Sequence, residues 1–135
     1  MGDTNPVPGT PISGSDATNK KANGHTLVCV VDPLGYTVTL DMHTWEDHIS
    51  KRHPEMRNLQ DLIAATAEHP SLIQQSLSGT TCYYYRLTGR TILNANDLYL
   101  SLVVDRNEIT KSGAIRTAHL VKQVRSEGET IWMSS

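Results

Sequence analysis

The sequence predicts an α+β fold, with helices near the front and strands after them. Two observations carry this: apolar residues recur at helical spacing across 42–68, and short β-branched and aromatic runs separated by turn residues fill 72–124. Helical segments followed by an antiparallel meander imply a layer of helix over one face of a sheet. At 135 residues the chain is the length of one domain.

Residues 1–24 contain three prolines, four glycines and few apolar side chains, so they bury too little to offset the entropy of ordering. They are expected to be a disordered tail, leaving 25–135 as the single domain. Order is expected from about Leu27, where Leu-Val-Cys-Val-Val meets the turn-forming Asp32-Pro33-Leu34-Gly35. Tyr36-Thr37-Val38-Thr39-Leu40 then resumes as the second arm of a hairpin.

Asp41 is placed to cap a helix over 42–53, in which Met42, Trp45, Ile49 and Met56 share one side and Pro54 enforces the end. Leu59, Leu62, Ile63 and Ala67 predict a second helix over 58–68, closed by His69-Pro70. Strands are expected at 72–76, 81–87, 98–105 and 113–124, with turns at Ser78-Gly79, Thr88-Gly89, 94–97 and 111–113. The stretch around Thr130-Ile131-Trp132 is expected to pack Trp132 back on the domain.

Charge and composition exclude several classes. Twelve Lys and Arg against fourteen Asp and Glu give a net charge of −2, far from a general nucleic-acid coat, so any phosphate site must be a local patch. No stretch approaches the ~18–20 apolar residues of a membrane span, and no basic-then-apolar leader is visible, so a cytoplasmic location is expected. Cys29 and Cys82 lack zinc or redox spacing and read as free buried thiols. Nucleophile elbows, phosphate-binding glycine loops and dinucleotide fingerprints are absent. His43, His48 and His53 are five apart, whereas zinc helices use a spacing of four, so no metal or cofactor is expected.

Three constellations could carry chemistry. His48 and Arg52, four apart on the first helix, suit a phosphate: guanidinium offers paired donors and imidazole moves a proton near neutral pH. They could equally belong to a solvated face partnered by Asp47 and Glu55. Next to them, Lys51 and His53 are candidate substrate contacts, and His53 could instead cap the helix end. On the strand Tyr83-Tyr84-Tyr85-Arg86, alternation puts Tyr83 with Tyr85 and Tyr84 with Arg86. These side chains could stack on a base and balance a phosphate, or simply pack the sheet. Finally, Thr117 and His119 share a strand face as a hydroxyl beside an imidazole, either a proton-transfer pair or an exposed edge.

These features, in the order Val-Thr-Leu strand, Trp45, His48-Ile49, Arg52-His53-Pro54-Glu55-Met56, Tyr84-Tyr85-Arg86 and Thr117-Ala118, resemble the phage-associated members of the barnase, EndoU, colicin E5/D and RelE superfamily (the BECR fold). The resemblance spans about residues 36–132. It implies one or two N-terminal helices on a four- to five-stranded antiparallel sheet and a metal-independent, toxin- or effector-like endoribonuclease. The implied site residues are His48, Arg52, Tyr85, Arg86, Thr117 and His119, although relatives tend to have Tyr where this chain has His119. His48 would be the base, His119 or His53 the acid, and Arg52 with Arg86 the charge stabilisers. RNA is the implied partner, an inhibitor or immunity protein a candidate second one, and no membrane is involved. A non-catalytic RNA-, phosphate- or protein-binding module of the same fold is the alternative.

Overall fold

A computed structural model of the chain describes residues 25–91 and 97–134. The expected tail and most of the turn at 94–97 lie outside those residues. Seven strands form one mixed sheet: β1 (Thr26–Val31), β2 (Thr37–Asp41), β3 (Leu72–Gln75), β4 (Thr81–Thr91), β5 (Asp97–Asn107), β6 (Ser112–Val121) and β7 (Glu129–Met133). Their order is β1-β2-β6-β5-β4-β3-β7, antiparallel throughout except where β2 runs parallel to β6.

The expected four- to five-stranded antiparallel sheet under one or two helices is therefore corrected. Among the described residues strand accounts for 48% and helix for 23%. The expected hairpin and meander are both present, but they join through three parallel pairs, Thr37 to Ser112, Val38 to Gly113 and Thr39 to Ala114. At Gly113 the missing side chain leaves room for Val104 of β5, since a Cβ there would lie 2.8 Å from Val104 Cγ1. At the other edge, residues 129–133 pair with β3 as a full strand. Both additions satisfy backbone groups that a shorter sheet would leave unpaired at its edges. The strand expected to reach 124 stops at Val121.

The hairpin turn is built by Asp32, whose Oδ1 accepts the N–H groups of Leu34 (2.9 Å) and Tyr36 (2.8 Å) while its Oδ2 accepts the phenol of Tyr84. Asp41 caps the first helix by accepting the Thr44 N–H at 2.7 Å, as its position predicts. That helix, α1 (42–52), is α-helical at Met42–Thr44 and Ser50–Arg52 but π-helical over Trp45–Ile49, with the Ser50 N–H reaching back to the Trp45 carbonyl. A single 3₁₀ turn, Pro54–Met56, leads on to α2 (Gln60–Glu68).

Both helices lie on one sheet face. Trp45, Ile49, Met56, Leu59, Ile63 and Ala67 pack there against Leu40, Ile73, Tyr84, Leu100, Leu102 and Ala118. Cys82 joins this core, whereas Cys29 is exposed. No helix among the described residues is long and apolar enough to cross a membrane.

Candidate functional site

Strand alternation sends one set of side chains to the face away from the helices. Register aligns them in two rows: Gln74, Tyr83, Val103 and Thr117 in one, and Leu72, Tyr85, Ser101 and His119 in the next. The second row thus sets the Tyr85 phenol, the Ser101 hydroxyl and the His119 imidazole across three neighbouring strands.

Beyond Ala114, β6 has no strand partner on the β2 side, and the segment after α1 runs along that edge. His53 leaves the helix with φ −130° and ψ 72°, a geometry imposed by the following Pro54. Its ring lies against that of His119, with centroids 5.0 Å apart and planes 20° from parallel. Glu55 completes the edge, its Oε2 standing 3.7 Å from His53 Nδ1. Burial, then the neighbouring His53 charge, push the His119 pKa down, while Glu55 pulls it up. The imidazole is thereby favoured in its neutral, proton-accepting form.

Thr117 Oγ1 and His119 Nδ1 are both buried, and neither has a hydrogen-bond partner among the described residues. The two side chains stand two positions apart on β6 and so project from the same face of the strand. Tyr85 is buried at the centre of the row. Desolvation raises its pKa, partly offset by the Arg125 N–H, which donates to the phenol at 3.3 Å, and by Ser101.

The remaining sequence candidates lie elsewhere. Arg86 points to the opposite face, donates to the His69 carbonyl and lines a cavity of about 520 Å³ with Asp32, His69 and Trp132. His48 lines a smaller cleft of about 330 Å³ with His43, Asp47 and Arg116. Arg52 and Lys51 are exposed, Lys51 standing 3.9 Å from Asp47. The π-turn explains the grouping of His43 with His48, because residues five apart come into line where the backbone bonds i to i−5. No group of three metal-ligating side chains is found among the described residues.

Thus Thr117, His119, Tyr85 and His53 share a face, whereas His48, Arg52, Lys51 and Arg86 are not joined to them. Sequence reasoning missed Ser101 and Arg125, and placed Glu55 only as a partner of His48 and Arg52. For Ser101 a signal existed: it is the one hydroxyl in the otherwise apolar run Leu100-Ser101-Leu102-Val103-Val104. No family model matches the chain, and no match is found among curated proteins or solved structures.

Proposed function

We propose that this domain is a metal-independent endoribonuclease that cleaves RNA through attack of a ribose 2′-hydroxyl on the adjacent phosphate. The observation that carries the proposal is the His53–His119 stack beside the unpartnered Thr117 hydroxyl. Such a reaction needs a neutral base, a proton donor and contacts to the phosphate.

His119, held towards its neutral form, is the base that takes the 2′-hydroxyl proton as the new oxygen–phosphorus bond forms. His53, beside the Glu55 carboxylate, returns a proton to the departing 5′-oxygen as the old bond breaks. The products are a 2′,3′-cyclic phosphate and a free 5′-hydroxyl. Thr117 supplies a hydroxyl to a phosphate oxygen, and Ser101 and Tyr85 are in register with His119 on the two neighbouring strands. Each proton transfer of this kind is worth ~10²–10⁴ in rate.

The test is incubation of the purified protein with mixed single-stranded RNA in excess EDTA. Cleavage to cyclic-phosphate ends is expected, with His119→Ala and His53→Ala each slower by about 100-fold or more while circular dichroism shows both folded. The proposal fails if RNA stays intact at high protein concentration, or if cleavage survives in both variants. The net charge of −2, which gives RNA no long-range attraction, favours one second reading, a module without catalysis that binds a phosphate or a partner protein. Saturable binding of a short phosphorylated ligand, with long RNA left intact in the same experiment, would support that reading.

A further inference from the structure

We infer that Arg125 and Tyr83 form a subsite for the nucleotide next to the cleaved bond, a role that rests on the RNA-cleaving reading above. The connection from β6 to β7 must pass β5, β4 and β3, a distance of about 19 Å at ~4.8 Å per strand. The seven residues 122–128 give eight Cα steps, roughly 28 Å at most when fully extended, so the segment crosses the Tyr85 face as a strap with little slack.

Three contacts fix its backbone. The Arg125 N–H donates to the Tyr85 phenol, Gln74 Nε2 donates to the Arg125 carbonyl at 3.2 Å, and Gly128 sits so close to β3 that a Cβ there would be 2.6 Å from the Gln75 carbonyl oxygen. With its peptide anchored, Arg125 turns its side chain over Tyr83, the guanidinium carbon 4.6 Å from the ring centroid. The guanidinium stays about half exposed and is engaged by Glu127 at 2.9 Å. An exposed pair of that kind is weak and readily exchanged for a phosphate, to which arginine donates in bidentate fashion.

Position decides the role. Tyr83 and Thr117 occupy the same row, two strands apart, which is roughly 10 Å; His119 lies one row further, roughly 12 Å from Tyr83. A phosphate held at Thr117 and His119 would therefore leave its neighbour within reach of Arg125, whose guanidinium, lying over the Tyr83 ring, offers a plane on which a base can stack in turn. Stacking of that kind accepts any base, so the subsite selects single-stranded RNA by chain length rather than by sequence.

The test compares a dinucleotide with a tetranucleotide of RNA as substrates of the full chain. The wild type is expected to show a lower KM for the longer substrate. In Arg125→Met the ratio of kcat/KM, long over short, is expected to fall at least fivefold through KM, with partial recovery in Arg125→Lys. Tyr83→Leu should lower the ratio in the same direction. An unchanged ratio in both variants of an enzyme that cleaves RNA overturns the subsite and spares the catalytic reading. If the wild type binds RNA without cleaving, equal affinity of wild type and Arg125→Met for the tetranucleotide overturns the subsite, and a fivefold loss supports it. A chain that neither binds nor cleaves RNA overturns both.

Discussion

The imidazole of His53, at the end of a helix, lies over that of His119 on a strand 66 residues later in the chain, 5.0 Å between centroids. Two cationic rings at that separation repel, and burial further disfavours the charged form of His119. Its midpoint, followed by NMR of the ring C–H, is expected below the ordinary value near ~6.5. His53→Gln should raise that midpoint and Glu55→Gln should lower it. A midpoint at or above the ordinary value, unmoved by either change, would show that the rings do not interact in solution.

Stability should follow the same titration. The folded His119 takes up a proton less readily than the unfolded one, so the unfolded state binds more protons as the pH falls. Its contribution is complete above the unfolded value of ~6.5 and is lost as the pH drops through the lower folded value. The Tm should decline between pH 7.5 and 5, and His119→Gln should make that slope shallower. An identical slope in wild type and variant would remove His119 from the acid sensitivity.

The buried Tyr84 phenol donates to Asp32, and burial together with that hydrogen bond raises its pKa, so it remains a donor throughout the ordinary pH range. Tyr84→Phe leaves Asp32 Oδ2 without this donor and should cost about 1–3 kcal/mol in urea unfolding. Asp32→Ala should cost more, because it also frees the N–H groups of Leu34 and Tyr36. Equal losses would mean that the phenol carries the whole effect.

Gly128 has φ +90° and faces the Gln75 carbonyl with no room for a side chain. Gly128→Ala therefore combines backbone strain with a clash and is expected to lower stability by about 1–3 kcal/mol. Wild-type stability for this variant would show that the strap does not press on β3.

How much of this was legible depends on the range of the interaction. The Asp32-Pro33 turn, the Asp41 cap and the stops at Pro54 and Pro70 were readable because each acts on its immediate neighbours. The π-turn was not: apolar residues at 45 and 49 fit a helical wheel, and one extra backbone residue per turn leaves no mark in composition. The parallel junction was also hidden, since pairing Val38 with Gly113 is a property of two distant segments. Within the site, alternation correctly separated Tyr85 from Arg86, which the family resemblance had grouped together. His53 crossing the edge of β6 depends on where β2 ends, and only the assembled sheet fixes that.

The parallel junction also sets a timetable for synthesis. Thr37 emerges from the ribosome 75 residues before its partner Ser112. At ~5–20 residues per second the opening hairpin waits about 4–15 s for the strand it docks on. During that interval Val38 and Leu40, wholly buried in the finished protein, have no sheet to cover them. The nascent chain is thus most exposed to mispairing at its front, and the last strands made are the ones that end the exposure.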